Sequence, residues 1–259
     1  MTLPINQIIC GDCLQEMPKL PSQSVDFVLT DLPYGITSNH WDSIIPLDAL
    51  WNQFKRIIKD NGVIALTASQ PFTSMLVMSN LEMFKHEWIW IKNRGSNFAN
   101  TIREPFKEHE SVLIFSKGKW TYNKQMQERT GAGLDRVKYD FHLNTNSTNY
   151  RRFKEEFDRK QPEQRVPSSW QKFNTETGLH PTQKPLLLFE YLVKTYTNID
   201  DVVLDCCAGS GTTAIACLNT NRKYICFEKE RKYFDLMAQR IKVNKISPSQ
   251  SNFGLATSQ

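Results

Sequence analysis

Residues 202–213 read VVLDCCAGSGTT. Val202 to Asp205 has the apolar, β-branched character of a short strand. Gly209 and Gly211 then make a turn, and Thr212 to Asn219 reads as the helix that the turn opens. Lys223 to Phe227 follows as a second strand. Glu228 stands at its end, nineteen residues after Gly209. Glycines let a ligand approach the backbone closely, and a strand-end carboxylate suits the two hydroxyls of a ribose. The ligand this pattern predicts is a nucleoside. It need not be a dinucleotide, because Gly-Ser-Gly-Thr-Thr lacks the third glycine of GxGxxG. A plain tight turn is the competing reading.

Working outward, the same strand–helix alternation covers the first hundred residues. Val25 to Thr30 is an apolar run broken by Asp31-Leu32-Pro33-Tyr34-Gly35, since Pro33 and Gly35 cannot continue a central strand. The spacing of apolar residues at 50, 51, 54, 57 and 58 predicts a helix over Asp48–Lys59, stopped by Asn61-Gly62. Gly62 to Thr67 reads as a buried strand and Gln70 to Met83 as another helix. His86 to Ile91 and Ser111 to Phe115 read as strands. Leu186 to Thr195 and Lys232 to Asn244 read as helices, with a frayed tail after Ile246. The expected fold is α/β, with a mixed, mainly parallel sheet covered by helices on both faces. Ligands of such sheets bind beyond the carboxyl ends of the strands. Asp31 and Tyr34 at such an end suit a planar, amine-bearing ring, the acid accepting from the amine and the aromatic stacking. A strand-ending turn with a half-buried Tyr is the other reading.

Composition sets outer bounds. A chain of 259 residues is one large domain, or one domain with an insertion. It has no apolar run of membrane-spanning length, and Met1 to Asn6 lacks the basic-then-apolar pattern of a secretory signal. Several of its cysteines, at 10, 13, 206, 207, 217 and 226, fall in apolar runs, as buried thiols do in a reducing compartment such as the cytoplasm. Cys10-x-x-Cys13 has no second CxxC and no nearby His pair, so buried strand thiols are expected there and no metal site. The net charge of +5 is carried by residues 119–175, with twelve Lys/Arg against seven Asp/Glu, while the remainder balances. That stretch, with Gly131, Gly133, Pro162 and Pro167 and no sustained period, reads as a small irregular insertion. Its charge fits either a polyanion partner or a solvated surface.

Taken together, DLPY and DCCAGSGTT resemble the paired motifs of the exocyclic-amino DNA methyltransferases that use S-adenosylmethionine. The catalytic motif precedes the cofactor motif with a basic insertion between them, which is the order of that family's β class. Three further segments are similar to family motifs: Ile9-Cys10-Gly11-Asp12-Cys13-Leu14, His180-Pro181-Thr182-Gln183-Lys184-Pro185, and KEHESVLIFSKG at Lys107–Gly118. The resemblance implies a Rossmann-like methyltransferase sheet, with catalytic parts in 1–118, cofactor-binding parts in 176–246, and a target-recognition region in 119–175. It implies catalysis by Asp31, Leu32, Pro33 and Tyr34. Cofactor contacts are implied for Asp12 and Cys13, for Asp31, and for Thr182 and Lys184. In the second half they are implied for Asp205, Ala208, Gly209, Ser210, Gly211, Thr212, Thr213 and Glu228. DNA contacts are expected from the densest basic cluster of the insertion, Arg151, Arg152, Lys154, Arg159 and Lys160. A DNA substrate follows, and the family also admits a homodimer and a partner restriction nuclease.

The chain departs from the family pattern twice. Leu32 replaces a proline whose contribution is a backbone carbonyl, and Leu supplies one. Cys206-Cys207 stands where Pro-Phe is usual. The Asp of the catalytic motif tilts the reading toward the N6 amine of adenine; the N4 amine of cytosine and a catalytically silent relative are the alternatives. Carbon-5 methylation of cytosine is rejected, because its nucleophilic Cys follows a Pro and no cysteine here does. His40, His86 and His142 stand alone. Trp88, Trp90 and Phe98 are expected in the core, with Asn93–Arg103 a loop over the site.

Overall fold

Strict alternation along the central strands decides which layer each side chain joins. In β2 (Val25–Thr30), Phe27 and Leu29 point to one face of the sheet and Val28 to the other. The computed structural model describes residues 3–37, 39, 42–130 and 163–246. The chain divides into two compact units, Met1–Asn123 with Ser169–Gln259, and Lys124–Ser168.

The first unit is built on an eight-stranded sheet. Its strands are β1 (Gln7–Cys10), β2, β3 (Ile58–Ala68), β4 (Phe84–Ser96), β5 (Lys107–Phe115), β8 (Trp170–Lys172), β9 (Val202–Asp205) and β10 (Lys223–Glu228). Their order is β1-β10-β9-β2-β3-β5-β4-β8. Every pairing is parallel except those of β5, which runs against both β3 and β4. The sheet is therefore mixed and mainly parallel, as expected.

Among the described residues six α-helices accompany it: α1 (Cys13–Glu16), α2 (Leu47–Ile57), α3 (Phe72–Ser79), α4 (Leu186–Tyr196), α5 (Thr212–Asn219) and α6 (Arg231–Ile246). One core layer joins Val28, Ile64 and Leu204 of the sheet to Leu50, Trp51 and Phe54 of α2. The opposite layer joins Phe27, Leu29 and Val203 to Leu188, Leu192 and Tyr196 of α4 and to α5 and α6. Both faces are thus covered, which is why these strands read as continuous apolar runs.

Several boundaries differ from expectation. The helix read over Asp48–Lys59 ends at Ile57, and the strand begins at Ile58, which pairs with Val25 before a register shift. The helix read over Gln70–Met83 is limited to Phe72–Ser79, and Met78 and Leu81 are exposed. Residues 93–96, read as loop, continue β4. Trp88 and Trp90 are buried, but Phe98 is exposed. Trp170–Lys172, inside the stretch read as an insertion, is the edge strand beside β4.

The second unit contains the short antiparallel pair β6 (Gln127–Glu128) and β7 (Gln164–Arg165), with Arg129 N donating to Glu163 O at 2.8 Å. Arg151, Arg152, Lys154, Arg159 and Lys160, together with His40, His142 and the tail after Ile246, lie outside the described residues.

Candidate active site

Five neighbouring strands, β1, β10, β9, β2 and β3, run parallel and end on one edge. The chain proceeds from β2 to β3 on one side and from β9 to β10 on the other. The crevice that such a reversal opens lies between the ends of β2 and β9. A cavity of about 1140 Å³ occupies this position.

Asp31 leaves β2 at the cavity wall. Its Oδ1 accepts from the Tyr34 hydroxyl at 2.8 Å and from the Thr67 hydroxyl, and its Oδ2 accepts from Lys184 Nζ at 2.6 Å. Thr67 arrives because β3 pairs with β2 in register, Thr30 opposite Leu66. Lys184 arrives from the segment before α4. It also lies 3.5 Å from Glu110 Oε2 on β5, and Glu110 Oε1 meets Lys92 Nζ on β4 at 2.5 Å. The four groups form a chain of alternating charge: Lys92, Glu110, Lys184, Asp31. Burial alone would lower the Lys184 ammonium's pKa. The Asp31 and Glu110 carboxylates outweigh that and raise it above the ordinary lysine value.

Tyr34 is less open than the sequence suggested. Its ring stacks on Phe72, with centroids 5.3 Å apart, and Lys184 Nζ lies 5.5 Å from its centroid. Burial, then the nearby Asp31 and Glu110 charges, hold its hydroxyl well above the usual phenol range, so it remains a donor. Leu32 is buried in the core, and its side chain takes the place of a rigid ring.

The second half of the cavity forms around Glu228. Its carboxylate ends β10 and accepts from Gly209 N at 2.7 Å and Glu230 N at 2.8 Å. Each oxygen keeps a further acceptor position. Burial raises its pKa, and the two backbone N–H groups partly offset this. Asp12 caps α1 by accepting from Leu14 N at 2.9 Å. Asp205, at the end of β9, is buried and pushed up to about 7 by that burial, against hydrogen bonds from the Thr213 hydroxyl and Cys207 N.

The loop between β9 and α5 is held from behind. Gly209 and Gly211 have φ of +51° and +79°, values that side chains rarely adopt. A Cβ on Gly211 would lie 2.5 Å from Met237 Cγ on α6. Arg240 Nη1, from the same helix, donates to Ser210 O and Thr212 Oγ1, both at 3.2 Å.

Most of the residues singled out in sequence meet here. Asp12, Cys13, Asp31 and Glu228 line the cavity, as do Leu32, Pro33 and Tyr34. So do Thr182, Lys184, Asp205, Ala208, Gly209, Ser210 and Thr212. Gly211 and Thr213 do not; Gly211 serves the packing on α6 and Thr213 holds Asp205. Sequence reading missed Thr67 and Lys92, and it quoted His180 and Glu110 only within motifs. His180 stacks edge-on against Tyr233 at 4.2 Å, and its Nδ1 lies 3.1 Å from Thr182 Oγ1. Strand register was the signal that could have found Thr67. His86, read as a lone residue, meets the Tyr196 hydroxyl at 2.8 Å.

Comparison with known proteins agrees with this geometry. A family model described as DNA methylase matches residues 25–240. The chain is 27% identical to the Type II methyltransferase M.HinfI of Haemophilus influenzae, over 95% of this chain and 70% of that protein. It is 27% identical to the DNA adenine methyltransferase YhdJ of Escherichia coli, over 91% of this chain and 82% of that protein. Among solved structures, the M1.HpyAVI–SAM complex superposes with a TM-score of 0.62 at 25% identity, covering 91% of this chain and 98% of that one. The cytosine-N4-specific PvuII DNA methyltransferase superposes at 0.63 with 16% identity, covering 90% and 85%, a likeness of fold.

Proposed function

The chain belongs to the N6/N4 DNA methylase family, and from that premise we propose that it methylates the N6 amine of adenine in DNA. It is a DNA methyltransferase, and S-adenosylmethionine is its cofactor. The residues present fit that group. Glu228 offers acceptor positions for ribose hydroxyls, and the glycine turn at 209–211 leaves the backbone approachable beside it. The cavity extends from there to Asp31, with room for a nucleoside and a base together.

The observation that carries the proposal is the state of Asp31. Three donors hold its carboxylate, and of its roughly four acceptor positions one remains, on Oδ2. An exocyclic amine has two N–H groups. One can donate to Asp31 Oδ2 and the other to the Leu32 carbonyl, two acceptors set side by side on the chain. Such contacts draw the nitrogen lone pair out of conjugation with the ring and aim it. S-adenosylmethionine supplies the electrophilic sulfonium methyl. The protein's work is alignment and electrostatics, with no covalent intermediate on the enzyme. Lys184 balances the Asp31 charge, and Thr67 and Tyr34 fix its plane. Because the amine is paired inside a duplex, the target base must leave the stack to reach this wall. Adenine at the site is supported by the adenine specificity in the name of the relative YhdJ and by an Asp at the motif's first position. We assign target recognition to the basic segment, with Arg151, Arg152, Lys154, Arg159 and Lys160 as the DNA contacts.

Expression in a host lacking adenine methylation, followed by sequencing for modified bases, tests the reading. N6-methyladenine at one short motif is expected, and its loss in Asp31→Ala, with cofactor affinity kept within several-fold. N4-methylcytosine instead would overturn the choice of base, and substantial turnover by Asp31→Ala would overturn the mechanism.

A further inference from the structure

Cys13 opens α1, while Cys206 and Cys207 follow β9 nearly two hundred residues later. The fold brings the three together. Their sulfur atoms all lie within 4.8 Å of one another, and Cys206 Sγ and Cys207 Sγ are 4.0 Å apart. All three residues line the cavity described above. Cys13 and Cys206 are buried and Cys207 is half-buried, and none is in a disulfide. Buried thiols that merely fill space have no reason to converge on one point. No step of the proposed methyl transfer passes through their sulfurs, although the family resemblance also implies a cofactor contact for Cys13.

The spacing is close to that of a metal-thiolate site. Metal–sulfur bonds of about 2.3 Å place the sulfurs of a trigonal or tetrahedral site about 3.8–4.0 Å apart. The observed trio needs little adjustment to reach it. Two rigid anchors set the positions: the first turn of α1, capped by Asp12, and the β9 end, where Cys207 N donates to Asp205 Oδ1 at 3.0 Å. Three soft sulfur donors with no histidine select thiophilic ions over hard ones such as Mg²⁺. One coordination position stays open for a water molecule, or none is needed in a trigonal site.

We propose that Cys13, Cys206 and Cys207 form a binding site for one thiophilic d¹⁰ cation, Zn²⁺ or Cu⁺, in the wall of the cofactor cavity. Binding forms three metal–sulfur bonds and releases the thiol protons to solvent, with no electron transferred. The sequence suggests buried strand thiols and no metal site at Cys10-x-x-Cys13, and of that pair only Cys13 is buried. Cys10 is exposed and stands outside the cluster.

The test uses the reduced full-length protein, freed of metal and without cofactor, so it does not depend on the methyltransferase reading. Cd²⁺ titration is expected to raise a thiolate-to-metal charge-transfer band that saturates at one ion per chain. Zn²⁺ and Cu⁺, each added against a chromophoric chelator, show which ion is held more tightly. Loss of even an outer partner weakens metal sites 10–100-fold, so Cys13→Ser and Cys206→Ser should each weaken Cd²⁺ binding by about 100-fold or more. Cys10→Ser should bind as the unaltered protein does. Circular dichroism and cooperative denaturant melts of Cys13→Ser and Cys206→Ser establish that these variants are folded. Absence of the band, a band that survives in both cluster variants, or an equal loss in Cys10→Ser would overturn the proposal. So would loss of free thiols to a disulfide with no metal uptake under reducing conditions.

Discussion

Replacing Lys184 by Met removes the ammonium between Asp31 and Glu110 and keeps most of the side chain's volume. Lys184 is 6% exposed, and Asp31 and Glu110 are 20% and 15% exposed. At an effective dielectric of about 20, charges 2.6 Å and 3.5 Å apart attract by about 6 and about 5 kcal/mol. Taking the ammonium out of water offsets several kcal/mol of that. Truncating one member of a buried pair strands its partners, and the expected loss is about 3–5 kcal/mol of folding stability. Lys92 still meets Glu110, so the stranded charge is chiefly that of Asp31. Because the folded-state pKa of Lys184 is raised, its contribution is fully present below the unfolded value of about 10.5 and fades as pH rises through the folded one. Urea denaturation of both proteins at a series of pH values is the assay. The stability gap should stay constant up to about pH 10 and narrow above it. Methyl transfer should fall together with stability, and Asp31→Asn added to Lys184→Met should recover part of the stability but none of the activity. A gap under about 1 kcal/mol, the scale of an exposed pair, would refute the claim that this ammonium holds Asp31 in place.

Glu228→Ala should weaken cofactor binding by about 1.5–3 kcal/mol, the scale of hydrogen bonds to a charged group, as read by calorimetry; unaltered affinity would place the ribose elsewhere. Asp205 has its pKa raised by burial from 3.8 to about 7, so the folded state holds its proton across that window and stability falls as pH rises through it. Relative to Asp205→Asn, wild type should lose up to about 4 kcal/mol between pH 4 and pH 7, seen in denaturant melts, and parallel curves would contradict this. Arg151→Ala with Arg152→Ala should reduce DNA affinity and flatten its dependence on salt, leaving cofactor affinity alone. Binding isotherms with the same slope and affinity as wild type would rule that cluster out as the DNA contact.

The parts of the fold legible in sequence were those where local chemistry and packing agree. Val25–Thr30, Val202–Asp205 and Thr212–Asn219 have the predicted bounds, because apolar runs and glycine turns there coincide with the layers they join. Ile58 was misassigned because it continues the apolar spacing of α2 while its backbone already pairs with Val25. Trp170–Lys172 carries too few residues for a periodic signal, and only the edge of β4 makes it a strand. Asp31 and Glu228 were found because they end strands in quotable motifs. Thr67 and Lys92 were not, since their place in the site depends on strand pairing, which no local pattern reports. The cysteine trio was hidden for the same reason: its members are neighbours only after β9 and β1 have flanked β10.

The position of β1 at the sheet edge, paired among the described residues with β10 alone, has a kinetic consequence. During synthesis the chain emerges from its N-terminus, so residues 7–10 wait until residues 223–228 have left the ribosome before they acquire a ladder. The loop between β9 and α5 waits longer still, for Met237 and Arg240 to arrive behind it. The half of the cavity formed by β2, β3 and β5 can assemble from a growing chain, while the half around Glu228 closes among the last events. Pairings this distant in sequence make for slow folding. A nascent chain therefore carries its Asp31 wall well before it can hold a nucleoside.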